Sequence, residues 1–167
     1  MPDRVVATLD PKPGTAVADI GAGTGYFAVR LAKTSAAPTV YGADIEPSMV
    51  EYLKARAARE QLPNLVPVLA APASPNLPAR VDLVLVVDTY HHIADRVTYF
   101  RALQGSLNQG ARLAIIDFRK DAPEGPPPEF RFPPEQITKE LQDAGFRLVA
   151  RHDFLPRQHF LVYEGGR

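Results

Sequence analysis

From Thr15 to Ala70 the chain alternates short strand-like runs with helical periods, and no other feature constrains its folding so tightly. Thr15 to Ile20, Thr39 to Ala43 and Asn64 to Ala70 read as strands, with Thr24 to Thr34 and Pro47 to Glu60 as helices between them. Strands joined through helices pair in parallel, because a crossover of that length carries the chain back to the same sheet edge. Pro47 suits a first helical turn, where its missing N–H bonds nothing, and Met49, Leu53 and Ala57 then share the face that covers the sheet.

The remainder continues the pattern with two interruptions. Ala71 to Arg80 carries three prolines and reads as a loop, so the crossover there is reduced. Val81 to Val87 is a nearly continuous apolar run, as expected of a central parallel strand buried on both faces. A helix is expected from Asp95 to Leu107, with Val97, Phe100, Leu103 and Leu107 inward and Gly110 ending the turn, followed by a strand from Ala111 to Phe118. Asp121 to Pro134 is too rich in proline for either element and reads as an ordered loop or a lid. Pro134 opens a last helix that Gly145 closes, and Phe146 to Asp153 with Gln158 to Glu164 read as an antiparallel hairpin. The expected architecture is a single α/β domain over residues 1–167: a Rossmann-like, doubly wound, mostly parallel sheet with an antiparallel C-terminal hairpin.

Composition removes several functions. Lysine plus arginine number 19 and aspartate plus glutamate also number 19, so no basic field gathers phosphates and nucleic acid is not an expected partner. The absence of cysteine excludes disulfides, zinc–thiolate sites and thiol nucleophiles. The longest apolar stretch, Leu83 to Val87, is too short to span a bilayer, and residues 1–20 lack a secretory pattern. A cytoplasmic location is expected, with a removed upstream targeting segment as the alternative. Oligomeric state is not legible.

The first strand runs into DIGAGTGYF, where Gly21, Gly23 and Gly25 form a turn at a helix start and let a ligand approach the backbone. The spacing is G-x-G-x-G, not the G-x-G-x-x-G that seats a pyrophosphate. Asp44 ends the second strand, where a carboxylate accepts hydrogen bonds from both hydroxyls of a ribose; the alternative is a helix N-terminal charge before Pro47. Ile45 and Met49 are placed to pack on an adenine or to be plain core. Asp19, Asp44, Asp88 and Asp117 all fall at carboxyl ends of strands and are expected to ring one crevice, which suits a ligand bearing an ammonium and a sulfonium rather than two phosphates.

DIGAGTGYF, the acid in GADIEPSMV and VDLVLVVDTYHHI resemble class I S-adenosylmethionine-dependent methyltransferases, near the ubiquinone-biosynthesis and arsenite-methylating branches. The resemblance implies that S-adenosylmethionine is the methyl donor and S-adenosylhomocysteine the product, with a small-molecule acceptor. It implies further that Asp19 orients the loop or the donor's amino group, that Gly21, Ala22, Gly23 and Gly25 approach the donor, and that Asp44 takes the ribose. Ala71 would meet adenine by its backbone, because the acid that many relatives carry there is missing. The carbonyl near Asp88 would accept from the donor's ammonium, and Tyr26 would gate the site or pack on a neighbouring strand. The N-terminal helices of such enzymes are reduced here to Pro2 through Leu9, which leaves the site open. Missing cysteines disfavour arsenite as substrate.

Tyr90, His91 and His92 follow the fourth strand, where an acceptor would approach. A histidine there takes the acceptor's proton as general base or hydrogen-bonds loop carbonyls. Adjacent histidines diverge and lack a third ligand, so no metal is expected. Arg119 and Arg131 bind an anionic acceptor, with Phe130 and Phe132 lining its pocket, or are surface arginines beside a packed lid. Two rival functions remain: a nicotinamide-dependent oxidoreductase, and a donor-binding protein without catalysis.

Overall fold

The computed structural model describes residues 1–166. In chain order the elements are α1 (Pro2–Leu9), β1 (Ala16–Ile20), α2 (Tyr26–Ala32), β2 (Thr39–Asp44), α3 (Pro47–Arg59), β3 (Leu65–Leu69), β4 (Val81–Val87), α4 (Arg96–Leu103), β5 (Leu107–Phe118), α5 (Pro134–Asp143), β6 (Arg147–His152) and β7 (Gln158–Glu164). The strands form one sheet in the order β3-β2-β1-β4-β5-β7-β6. The first five are parallel; β7 runs antiparallel between β5 and β6. This is the Rossmann-like, doubly wound arrangement that the alternation predicts.

Helices cover both faces because the central strands bury both. Val17, Leu83, Leu85, Ala114 and Phe160 face α1, α2 and α3. Their neighbours Ala18, Val84, Val86, Ile115 and Leu161 face α4 and α5, through Phe100, Leu103, Ile137 and Leu141. Strand order reverses direction between β1 and β4, and open α/β sheets bind their ligands in the crevice beyond the carboxyl ends of such a pair.

One boundary differs from expectation. The helix expected to reach Leu107 ends at Leu103, a 3-10 turn spans Gln104–Ser106, and β5 already begins at Leu107. The cause is long-range pairing: Leu107 stands opposite Val81, and the Gly110 N–H donates to the Gly166 carbonyl. Gly110 lies inside the strand at φ 75°, where it accommodates the register shift of β5 on β4. The segment Asp121 to Pro134 is ordered, with one 3-10 turn at Pro128–Phe130. No helix among the described residues is long and apolar enough to cross a membrane.

Candidate active site

A cleft of about 470 Å³ opens beyond the carboxyl ends of β1 and β4. Its floor is Asp19, Gly21, Ala22 and Asp88, and Tyr26 stands at the mouth, half exposed, with the Arg30 guanidinium 4.1 Å above its ring. Met1, with Pro2 and Val5 of α1, forms one wall. The short N-terminal helix therefore covers the site on that side, contrary to the expectation of an open one.

Glycine is required at two turn positions for reasons of packing. A Cβ on Gly21 would lie 2.2 Å from Thr89 Oγ1, and one on Gly25 would lie 2.6 Å from Leu53 Cδ1; both residues also have positive φ. Gly23 has open space around it. The loop amides are largely engaged within the protein: Gly21 and Ala22 donate to the Ala43 carbonyl, Gly25 to Ala22, and Gly23 to Asp44 Oδ2. The loop thus brings backbone close to the cleft without offering a nest of free N–H groups.

Asp44 receives Gly23 N–H on one carboxylate oxygen at 2.9 Å and Glu46 N–H on the other at 3.0 Å. Each oxygen keeps a second lone pair, so the carboxylate still accepts two further hydrogen bonds. Beside it Ile45 and Leu69 are 53% and 52% exposed, an uncovered apolar shelf at the ends of β2 and β3; Met49 is partly buried on the first turn of α3. Both backbone groups of Ala71 are engaged with Ser74.

The four aspartates do not ring one crevice. Asp19 and Asp88 line the cleft, whereas Asp44 is outside its lining and bonded to the Gly23 amide of the glycine loop. Asp19 is 3% exposed, and burial pushes its carboxyl up to about 7 against the opposing pull of the Ala28 amide. Asp88 adopts φ 52° and accepts a hydrogen bond from Gln158 Nε2 at 2.8 Å; burial raises its pKa as well, with Gln158 acting in the other direction.

Asp117, next in the chain to the cleft-lining Ile116, is 4% exposed, with both oxygens 2.9 Å from His91 Nδ1 and further hydrogen bonds from the backbone N–H groups of His91 and Phe118. A carboxylate on Nδ1 selects the tautomer whose Nδ1 carries the proton and whose Nε2 lone pair is free. Among the described residues His91 Nε2 has no partner, and it is not among the sealed side-chain atoms. His92 is exposed, its ring tilted by 44° against that of His91 with centroids 4.1 Å apart. Across the β5–β7 register His159 faces Asp117, and burial, with Arg119 and Arg151, holds its pKa below the usual imidazole range. A competing positive charge is thereby kept from the Asp117 carboxylate.

Tyr90 lies in the core and does not reach the cleft. Its hydroxyl donates to Glu140 at 2.5 Å, its ring stacks on Phe100, and Arg96 grips the same carboxylate at 2.7 and 2.9 Å. Burial and the neighbouring carboxylate hold its phenol protonated well above the usual range. This triad ties the turn after β4 to α4 and α5. Tyr90→Phe is expected to lower unfolding free energy by about 2 kcal/mol in urea denaturation, as for one hydrogen bond to a charged group, and to leave ligand affinity at the cleft unchanged.

Arg119 and Arg131 do not present their guanidiniums to a ligand. Arg119 donates to the Gln158 and Leu155 carbonyls and Arg131 to those of Pro126, Lys120 and Ala122. They brace the proline-rich segment and the β6–β7 turn. Phe132 packs under Arg96 and against Tyr90, while Phe130 is exposed. Among the described residues no group of three histidine or carboxylate side chains is arranged to hold a metal ion.

Sequence reading missed the pairing of Asp117 with His91, the bond from Gln158 to Asp88, and the wall contributed by Leu155 and Pro156. The acid closing the apolar run LAIID was the available signal for the first.

A methyltransferase domain family model matches residues 18–115, the span from β1 to the middle of β5. The chain belongs to that family. An O-methyltransferase, resE, of Aspergillus sclerotiorum is 30% identical over 168 residues, covering 89% of this chain and 61% of the relative. The 27-O-demethylrifamycin SV methyltransferase of Amycolatopsis mediterranei is 33% identical over 118 residues, covering 70% of this chain and 43% of the relative. This methyltransferase-family chain therefore spans less than two thirds of either curated relative. A solved SAM-dependent methyltransferase from Aquifex aeolicus superposes with a TM-score of 0.89 at 25% identity, over 98% of this chain and 88% of the other.

Proposed function

We propose that the chain binds S-adenosylmethionine across the ends of β1, β2 and β4 and catalyses methyl transfer to a hydroxyl of a small acceptor, with His91 as general base. The observation that carries the reading is the Asp117–His91 pair, which follows the cleft-lining Ile116 and Asp88 in the chain and leaves Nε2 without a partner among the described residues. A base is needed only where the acceptor must lose a proton, which selects a hydroxyl over an unprotonated amine or a thioether. The names of the O-methylating relatives agree with it.

The residues fit the donor. Asp44 offers two acceptor positions to a ribose, Ile45 and Leu69 offer an apolar shelf to an adenine, and Asp19 offers negative charge to an ammonium. Bound there, the donor supplies an electrophilic methyl group on sulfur. Asp117 orients His91, Nε2 takes the acceptor's proton, and α1 with the β6–β7 turn shields the cleft from water. A nicotinamide dinucleotide fits poorly, because Gly21, Ala22, Gly23 and Gly25 already direct their N–H groups inward. Location in the cytoplasm and a one-domain organisation over 1–167 accompany this reading as proposals.

Calorimetric titration with S-adenosylhomocysteine tests the donor site. Asp44→Ala is expected to weaken binding about 100-fold, the loss of two charge-assisted hydrogen bonds, with the fold retained by circular dichroism. Wild type that binds a nicotinamide dinucleotide in preference to S-adenosylhomocysteine would overturn the proposal. Donor binding without methyl release to any hydroxyl acceptor would return the non-catalytic reading.

A further inference from the structure

Past Asp19 the cleft continues toward β5 and the β6–β7 turn, where Ile116, Leu155 and Pro156 face Pro2 and Val5 of α1. This part of the wall is apolar. Among the side chains of the lining, charge is confined to Asp19, Asp88 and Arg157, and Met1 adds the α-ammonium of the chain start. Arg157 is ion-paired with Glu124 of the proline-rich segment, and the nearby guanidiniums of Arg119 and Arg131 are held by backbone carbonyls. Among the described residues no side-chain cation of the wall is left unpaired beside Asp88.

Asp88 is also fixed in direction. Its backbone sits in the left-handed region, Gln158 reaches across β5 to bond Oδ1, and Oδ2 has no protein partner among the described residues. A half-buried carboxylate clamped at the junction of the donor floor and the apolar wall acts on whatever enters beside it. We propose that the acceptor has an apolar body without negative charge, and that Asp88, held by Gln158, is the residue that turns anionic acceptors away. The inference rests on the donor-and-acceptor reading of the cleft. An acceptor carboxylate seated against Ile116 and Leu155 would lie close to Asp88 in water-poor surroundings. Two like charges about 5 Å apart at an effective dielectric near 20 correspond to a discrimination on the order of 100-fold.

Naphthol and naphthoate share one apolar ring system and differ in charge at pH 8. S-adenosylhomocysteine binding is measured first by calorimetry. Each probe is then titrated, by ligand-observed saturation-transfer NMR, into the S-adenosylhomocysteine complexes of wild type, Asp88→Asn and Arg157→Gln. Wild type is expected to bind naphthol at least about tenfold more tightly than naphthoate, as the same Coulomb argument requires after screening. Asp88→Asn, which keeps a partner for Gln158, is expected to close most of that gap by gaining naphthoate, while Arg157→Gln leaves the preference intact. Equal binding of the two probes by wild type overturns the proposal. So does naphthoate binding that Arg157→Gln abolishes, or a complex that binds S-adenosylhomocysteine but no naphthol. Failure to bind S-adenosylhomocysteine at all is a separate result, which removes the donor reading and the acceptor assignment with it.

Discussion

His91→Asn is expected to lower kcat by about 100- to 10,000-fold while S-adenosylhomocysteine affinity stays within about twofold of wild type, because general-base catalysis contributes a factor of that size and the imidazole does not line the donor floor. Asparagine can still offer an N–H to Asp117, so the buried carboxylate keeps a donor and the fold is retained. Asp117→Asn should reach a similar loss by another route. Its amide donates toward Nδ1, which drives the imidazole proton onto Nε2 and removes the lone pair that accepts from the hydroxyl. Residues acting as one unit are not additive, so the double variant should be no slower than either single one. Steady-state kinetics beside calorimetry decide it. Additive losses, or a fall in donor affinity that matches the fall in kcat, would assign the pair a structural role.

The parts of this site that a reader of the sequence can find are those assembled within one strand–loop–helix step. Asp19, the glycine turn and Asp44 each stand at the end of a strand whose apolar period announces it, and β4 stands out because Leu83 to Val86 are buried on both faces. The limits of α3 follow from Pro47 at its start and the loss of apolar period after Ala57. Pairing across the sheet is a different matter. His91 and Asp117 are 26 residues apart and meet only because β4 and β5 are neighbours, and Asp88 and Gln158 meet across 70 residues because β7 inserts antiparallel beside β5. Tyr90 and His91 illustrate the same limit locally. Successive residues of a 3-10 turn point in different directions, so one enters the α4–α5 core and the other meets the β5 carboxylate, a choice no local period encodes. The early start of β5 has this origin too, since Leu107 owes its place in the strand to Val81 and Gly110 is held by Gly166.

Asp19→Asn is expected to stabilise the free protein at pH 8 and to abolish most donor binding, two effects with one cause. The carboxyl sits 3% exposed with a pKa raised by burial to about 7, against 3.8 for an ordinary aspartate. Below pH 3.8 both folded and unfolded chains carry it protonated, and the burial costs nothing through ionisation. Between 3.8 and 7 the unfolded chain ionises while the folded one holds its proton, so stability falls by about 1.4 kcal/mol per pH unit. Above 7 the full penalty, about 4 kcal/mol, is present, and asparagine removes it. A domain of this size should then melt roughly 8 °C higher at pH 8 and no higher at pH 3, a difference that differential scanning calorimetry resolves. Donor binding runs the opposite way. The ammonium of S-adenosylhomocysteine needs Asp19 ionised, so wild-type affinity should fall about tenfold for each pH unit below 7, and Asp19→Asn should bind about 100-fold more weakly at pH 8 with no such slope. A variant that melts lower at pH 8, or a wild type whose donor affinity is flat between pH 5 and pH 7, would show that the buried carboxyl serves the fold and not the donor.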